Sequence, residues 1–131
     1  MMDCTILIVD DEVQVTKNLQ IDLEKFLPRC KIITSNYGYS ALNRVYCEKI
    51  NLVVTDIAMP DMNGYELYTR IKEYDATIAV IMITGFGYDP NHTVVNARNS
   101  GLGAEDVLFK PFDTDYLVKL IKERLLFNQD T

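Results

Sequence analysis

Histidine and cysteine, from which many metal and redox sites are built, are scarce in this chain. Its 131 residues include no tryptophan, one histidine and three cysteines. The cysteines, Cys4, Cys30 and Cys47, are odd in number, widely spaced and form no Cys-x-x-Cys pair. We therefore expect reduced thiols in a cytoplasmic protein, and neither a zinc site nor a disulfide framework.

Long apolar runs and clusters of basic residues are also absent. No apolar run is long enough to cross a bilayer, and an acidic residue follows Met1 and Met2 at once, so we expect no membrane span and no signal peptide. The chain has 13 Lys and Arg residues and 19 Asp and Glu residues, which gives a net charge of −6. That charge disfavours binding to nucleic acid or to an anionic membrane. We expect neither as a direct partner.

The composition that remains is that of a folded domain. Hydrophobic residues make up 48% of the chain and charged residues 24%, which excludes a disordered segment. There are no internal repeats, linkers or low-complexity tracts. The sequence predicts a single domain over residues 1–131, with a core from about 5 to 127.

Short apolar runs alternate with amphipathic segments along the chain. Strands are predicted over residues 5–9, 31–35, 52–55, 78–84 and 106–109. Helices are predicted over residues 13–26, 40–49, 65–73, 90–99 and from Asp113 or Thr114 to about Phe127. Regular alternation predicts an α/β fold, in which helices cover both faces of a parallel five-stranded sheet.

Polar residues of a particular kind follow the predicted strands. Asp10 and Asp11 come after the first, Asp56 after the third, Thr84 at the end of the fourth and Lys110 after the fifth. In an open parallel sheet the carboxyl ends of the strands share one edge, and ligands bind there. Three carboxylates held close together are unfavourable unless a cation offsets their charge. The pattern therefore predicts a binding site for a cation at this edge.

The predicted cation is Mg²⁺, or Mn²⁺ in its place. Mg²⁺ prefers oxygen ligands, keeps several waters, and is commonly held by one or two carboxylates and a phosphate. Asp11 and Asp56 are the expected direct ligands, and Asp10 is expected to act through a water. The backbone carbonyl of Ala58, two residues after Asp56, is a further expected ligand.

A carboxylate beside Mg²⁺ can also act as a nucleophile toward phosphorus. Asp56 stands alone at its strand end, so it is the expected phosphoacceptor. Lys110 would offset charge on the phosphoryl oxygens, the Thr84 hydroxyl would bond one of them, and Gly85 would leave the approach open. Taken singly, Asp11 is as well explained by a helix cap, and Lys110 and Thr84 by surface positions. The joint placement at successive strand ends favours the functional interpretation.

Four motifs carry a resemblance to a known family. They are ILIVDDE at residues 6–12, VVTDIAMPDMNG at 53–64, ITG at 83–85 and KPF at 110–112. Together they resemble the receiver domain of bacterial two-component response regulators, similar to chemotaxis receivers, over almost the whole chain. The resemblance implies a flavodoxin-like (βα)5 three-layer sandwich with strand order 2-1-3-4-5.

The resemblance also implies a phosphorelay reaction. Asp56 would receive a phosphoryl group from the phosphohistidine of a sensor histidine kinase or a histidine phosphotransfer protein, with Mg²⁺ required. Asp10 and Asp11 would be the acidic pair, Thr84 the switch hydroxyl and Lys110 the phosphate-contacting lysine. The domain would catalyse only its own phosphotransfer and dephosphorylation.

The output surface implied by the resemblance comprises the fourth helix, fifth strand and fifth helix. Phosphorylation would shift this surface between two conformations, which a downstream protein target or output domain would recognise. Homodimerisation through the face of the fourth helix stays open. Only residues 128–131 follow the last predicted helix, so we expect no output domain here. A stand-alone receiver and a piece of a larger regulator or hybrid kinase both fit.

The Lys110-Pro111 pair agrees with the family, and the sequence departs from the family in two other places. The Lys110–Pro111 bond is cis in most relatives, and cis bonds are far commoner before proline than elsewhere. Relatives usually carry Tyr or Phe three residues before the lysine, whereas Val107 stands there in this chain. Residues 85–105 are a few positions longer than usual, and they contain His92, for which we expect a solvent-facing place at a helix start.

Two other functions stay open. A Mg²⁺-dependent phosphatase of the haloacid dehalogenase type would also use Asp and Lys, but it typically has a second acid two residues after its nucleophile, where this chain has Ala58. A receiver-like module that signals without phosphate is compatible with Val107. Turnover of a phosphomonoester would indicate the first, and a phosphate mimic whose effects stay within the pocket would indicate the second.

Overall fold

A computed structural model of the chain describes residues 3–85 and 107–129, with side chains described as far as residue 126. The strands are β1 (Cys4–Val9), β2 (Cys30–Ser35), β3 (Leu52–Asp56), β4 (Ala79–Thr84) and β5 (Val107–Phe109). The helices are α1 (Val13–Phe26), α2 (Gly38–Cys47), α3 (Gly64–Tyr74) and α4 (Thr114–Gln129). The predicted helix at 90–99 and the Asp89–Pro90 start expected for it lie outside the described residues.

All five strands pair in parallel, in the order β2-β1-β3-β4-β5. This confirms the predicted α/β class and the flavodoxin-like order. Every predicted strand is present, and α1 begins and ends at the predicted residues. Within the described part of the chain, no helix has the length and apolar character needed to cross a membrane.

The sheet is buried on both faces, which explains its continuously apolar strands. In β1, Leu7 and Val9 point into the cluster under α2 and α3, whereas Ile6 and Ile8 point into the cluster under α1 and α4. All four side chains are at most 1% exposed. Because successive strand residues face opposite sides, each strand contributes to both cores and its carboxyl end is held firmly in place.

The fold corrects the expectation of three reduced cysteines. Cys4 and Cys30 face each other at the amino ends of β1 and β2, with Cα atoms 4.7 Å apart, and their sulfur atoms form a disulfide. Cys47 ends α2, is exposed and lies outside the disulfide. The spacing of 26 residues carries no signal for this pair, because only the parallel pairing of β1 with β2 brings the two together.

Counting thiols in the denatured protein checks the disulfide. Without reductant, an alkylating reagent should modify Cys47 alone; after reduction it should modify all three cysteines. Intact mass gives the number of alkyl groups directly. Three alkylated cysteines without reductant would restore the expectation from the sequence.

Candidate functional site

Three acidic side chains meet at the carboxyl edge of the sheet. Val9 of β1 pairs in register with Thr55 of β3, so the residues that follow them, Asp10 and Asp56, leave the sheet side by side. One carboxylate oxygen each from Asp10, Asp11 and Asp56 lies within 4.8 Å of the others. The sequence-predicted acidic residues are thus brought together, and a set of hard carboxylate oxygens suits a Mg²⁺ ion.

Asp10 is the buried member of the cluster, at 4% exposure. Its Oδ1 accepts a hydrogen bond from the Glu12 N–H at 2.9 Å, and its Oδ2 lies 3.4 Å from Lys110 Nζ. Its backbone is also held, since the carbonyl accepts a 2.8 Å bond from Asn36 Nδ2. Burial raises the pKa of Asp10, and the Glu12 N–H and Lys110 offset only part of that rise.

Asp56 is half-buried and ends β3. One of its carboxylate oxygens, Oδ1, accepts a 2.9 Å bond from the Ile57 N–H. Burial raises the pKa of Asp56 to about 6, and the neighbouring Asp10 charge adds to the effect, while Lys110 and the Ile57 N–H work against it. The ionised cluster therefore has less positive charge around it than it needs, and a divalent cation would supply the difference.

Asp11 is exposed at the mouth of the cluster. The alternative interpretation, in which Asp11 caps α1, is wrong. The N-cap residue of α1 is Glu12, which makes no side-chain capping bond, and the Glu12 N–H is bonded by Asp10 instead. The Asp11 carboxylate is therefore oriented toward the cluster rather than used to begin the helix.

Lys110 and Thr84 close the other side of the site. The Lys110 N–H donates to the Thr84 carbonyl at 2.7 Å, which ties the ends of β5 and β4 together, and the Lys110–Pro111 bond is cis. The Thr84 side chain is 1% exposed, and its Oγ1 has no hydrogen-bond partner among the described residues. A buried hydroxyl left unpaired is costly, so this one is suited to a ligand oxygen.

Ala58 lies on the loop of residues 57–63 that follows Asp56. It shares an open cavity of about 510 Å³ with Asp11. The other lining residues of that cavity are Ile57, Met59, Pro60, Asn63 and Tyr65. Ala58 and Asp11 thus line the same cavity, and the use of the Ala58 carbonyl as a metal ligand stays a prediction.

Gly64 lets this loop return to the end of β3. Its N–H donates to the Ile57 carbonyl at 2.8 Å. A Cβ at Gly64 would lie 2.7 Å from the Asp56 carbonyl oxygen and 2.9 Å from the Ile57 Cα. Both neighbours are backbone atoms next to the candidate nucleophile, so the position requires glycine for steric reasons.

Gly64→Ala should destabilise the domain by about 1–3 kcal/mol, because the added methyl group forces the backbone at Asp56 to move. Chemical denaturation measures the effect. Gly85→Ala is the matched control, since among the described residues a Cβ there meets only Lys110 Cδ, at an ordinary 3.6 Å. Equal stability losses in the two variants would contradict the steric argument.

Val107 occupies the position at which the resemblance implies an aromatic residue. It is 5% exposed and pairs in register with Met82, in the core cluster on the α2 and α3 side of the sheet. The last helix, α4, covers the opposite face of the sheet and packs against Leu108 rather than Val107. The predicted 85–105 extension, including His92, lies outside the described residues after Gly85.

Sequence reasoning missed the role of Asp61. Its carboxylate accepts hydrogen bonds from the backbone N–H groups of Gly38 and Tyr39, both at 3.0 Å. No local pattern signals these bonds, because the partners lie 23 and 22 residues earlier in the chain. The cap of α3, by contrast, is readable from the sequence, since Asn63 accepts from the Glu66 N–H as an Asn-x-x-Glu start would suggest.

The known proteins that resemble this chain belong to one family. The model of the response regulator receiver domain matches residues 6–122. The transcriptional regulatory protein CrdR of Helicobacter pylori is 35% identical over 130 residues, which cover 98% of this chain and 57% of CrdR. The transcriptional regulatory protein ZraR of Klebsiella oxytoca is 36% identical over 120 residues, which cover 92% of this chain and 26% of ZraR.

Solved structures agree with the sequence relatives. A CheY-like response regulator receiver domain protein from Methanospirillum hungatei superposes with a TM-score of 0.87 at 28% identity, covering 98% of both chains. The BeF3-activated receiver domain of DrrB, a Thermotoga maritima protein, superposes with a TM-score of 0.81 at 28% identity, covering 95% of this chain and 99% of that domain. The chain thus matches nearly the full length of isolated receiver domains.

Proposed function

Because the chain belongs to the response regulator receiver domain family, we propose that Asp56 accepts a phosphoryl group in a Mg²⁺-dependent reaction. The observation that carries the proposal is the meeting of Asp10, Asp11 and Asp56 within 4.8 Å, with Lys110 Nζ 3.4 Å from Asp10. Thr84, at the carboxyl end of β4, adds a hydroxyl that has no hydrogen-bond partner among the described residues. Receiver domains are signalling domains, and this assembly has what phosphoryl transfer to a carboxylate requires.

Asp56 acts as the nucleophile. An oxygen of its carboxylate attacks phosphorus, a P–O bond forms, and the P–N bond of the donor phosphohistidine breaks. The electron pair of that bond leaves with the imidazole nitrogen. The pKa of about 6 leaves Asp56 mostly ionised near neutral pH, which is the form that attacks. Bound Mg²⁺ would offset charge on the phosphoryl oxygens, held by Asp11, Asp56, the Ala58 carbonyl and, through water, Asp10.

Lys110 and Thr84 contact the negatively charged oxygens of the phosphoryl group once it is attached to Asp56. The Lys110 ammonium lies 3.4 Å from Asp10 Oδ2, on a flexible stem that can turn toward a phosphoryl oxygen on Asp56. The Thr84 hydroxyl has no competing partner among the described residues, so it can donate to another oxygen. These bonds exist only in the phosphorylated state, which is how phosphorylation would shift the conformation of the output surface.

The proposed partners follow from this reaction. The chain acts in the cytoplasm, and the donor is a sensor histidine kinase or histidine phosphotransfer protein. The signal passes to a downstream protein or an output domain. CrdR and ZraR are named transcriptional regulatory proteins, and the chain spans only 57% and 26% of their lengths. The expected absence of nucleic-acid contact, which rests on the charge of −6, therefore extends no further than these 131 residues.

A phosphorylation assay tests the proposal. Incubation with a small-molecule phosphodonor and Mg²⁺ should add one phosphoryl group by intact mass, Mn²⁺ should substitute, and chelation should prevent the addition. Repeated turnover of a phosphomonoester would instead indicate a phosphatase. A beryllofluoride adduct whose NMR shifts remain within the pocket would indicate a module that does not relay phosphorylation.

A further inference from the structure

The loop of residues 57–63 is fastened to α2 by one carboxylate. Asp61 Oδ1 accepts from the Gly38 N–H at 3.0 Å, and Asp61 Oδ2 accepts from the Tyr39 N–H at 3.0 Å. These N–H groups belong to the first turn of α2, where the helix itself supplies no carboxylate and the N-cap residue Tyr37 makes no side-chain bond. Asp61 thus caps α2 from a different segment of the chain.

Close packing accompanies these hydrogen bonds. A Cβ at Gly38 would lie only 2.7 Å from Met62 Cβ, so the start of α2 sits directly against the loop. The loop also places Ile57, Met59 and Met62 in the core, at 2%, 8% and 3% exposure. Ala58 lies between the first two of these buried side chains. Its backbone position is therefore determined by how the whole loop is seated on α2 and the sheet.

We propose that Asp61 is a positioning residue for the metal site, which fixes the Ala58 carbonyl opposite Asp11 and Asp56 by fastening the loop to α2. This inference rests on the proposed function, since it concerns the same Mg²⁺ site. Asp61 touches no ligand in this scheme. It acts through the backbone of the two residues between it and Ala58, Met59 and Pro60.

The physical reason is the strict geometry of Mg²⁺. The ion demands near-octahedral ligands at short distances and binds poorly when one ligand is displaced. Hydrogen bonds from backbone N–H groups to a carboxylate are stronger than neutral ones, and a helix N-terminus adds a favourable field. Loss of Asp61 would free the loop at its middle, while the core side chains still held it loosely in place.

The test compares Mg²⁺ binding in four proteins: the wild type, Asp61→Ala, Asp61→Asn and Asp75→Ala. Asp75 is the matched control, because its Oδ1 also accepts a hydrogen bond from a backbone N–H, that of Thr77, at 3.0 Å. Asp75 lies in the turn between α3 and β4, at the edge of the sheet opposite the acidic cluster. Calorimetric titration with MgCl₂ gives the dissociation constant. Amide hydrogen exchange at Gly38 and Tyr39, in metal-free protein, reports whether the fastening is lost.

Asp61→Ala should weaken Mg²⁺ binding about tenfold or more, as is usual when a residue that orients a metal ligand is removed. Exchange at Gly38 and Tyr39 should become faster at the same time. Asp61→Asn should keep most of the affinity, because its amide oxygen still accepts one bond. Asp75→Ala should leave the affinity unchanged.

Three results would overturn the proposal. One is an unchanged Mg²⁺ affinity in Asp61→Ala while the two amides exchange faster. The second is an equal loss in Asp61→Asn and Asp61→Ala, which would assign the effect to charge rather than position. The third is an equal loss in Asp75→Ala, which would assign it to general destabilisation. A wild type that fails to bind Mg²⁺ is a different result, and it would overturn the proposed function as well.

Discussion

Asp56→Asn should abolish the incorporation of phosphoryl groups from a small-molecule donor in the presence of Mg²⁺. The amide is nearly the same size as the carboxylate, so the fold should persist, but it is neither an anionic nucleophile nor a strong ligand for Mg²⁺. Intact mass after incubation should show the unmodified variant alone, where the wild type gains one phosphoryl group. The loss should be complete because no step of the reaction can proceed without the attacking oxygen.

Asp115→Asn is the control for this substitution. Asp115 is an exposed residue in the first turn of α4, outside the acidic cluster. Its replacement should leave incorporation at the wild-type level. Stable incorporation at another residue in Asp56→Asn would overturn the assignment of the phosphoacceptor, whatever the control showed.

Without divalent cations, Asp56→Asn should be more stable than the wild type at neutral pH, and the two should be close to equal below about pH 4. Burial, followed by the charge of Asp10, raises the pKa of Asp56 from 3.8 to about 6 in the folded protein. Between these values the folded state binds more protons than the unfolded state. The stability associated with Asp56 is therefore fully present below the unfolded pKa and is lost as pH rises through the folded pKa.

The expected size of the difference follows from the shift. Each unit of pKa corresponds to about 1.4 kcal/mol, and because Asp56 is only half-buried we reduce the total by about half for solvent screening, to roughly 1–2 kcal/mol at neutral pH. Urea denaturation at a series of pH values measures it as the free energy of unfolding of the variant minus that of the wild type. Saturating Mg²⁺ should reverse the order, since it stabilises only the protein that binds it.

The comparison separates Asp56 from titrating groups that do not interact with it. The pKa of Asp75 is lowered by the Thr77 hydroxyl and then by the Thr77 N–H, so its contribution has the opposite trend and is lost as pH falls. Because Asp75 is present in both proteins, that contribution cancels. A flat difference for Asp56→Asn would contradict the raised pKa.

Much of the fold could be predicted because the responsible signals are local. The apolar spacing of α1 gave its two ends, and five short apolar runs gave the strands. The chirality of parallel crossovers limits how such strands can be ordered. Asp10, Asp11, Asp56, Thr84 and Lys110 could be assigned to one edge for the same reason, since each follows or ends a strand.

Other features could not be predicted, because they depend on contacts between distant segments. Cys4 and Cys30 form a disulfide only because β1 and β2 align their first residues. The side of the sheet on which Val107 packs depends on the register of β5 with β4. A shift of one residue would have turned Val107 to the opposite face.

The sequence by itself determined the class of fold and the order of its elements along the chain. It also determined which acidic, hydroxyl and ammonium groups lie at the carboxyl edge of the sheet, because the periodicity and the ends of strands depend on neighbouring residues in the sequence. Only the tertiary structure decided how strongly the charges of those groups affect one another and how the neighbouring loop is held. Burial and the closeness of Asp10 raise the pKa of Asp56, and Asp61 reaches back over 22 residues to fasten the loop after it. Both effects arise from packing distances, which no local pattern in a sequence records.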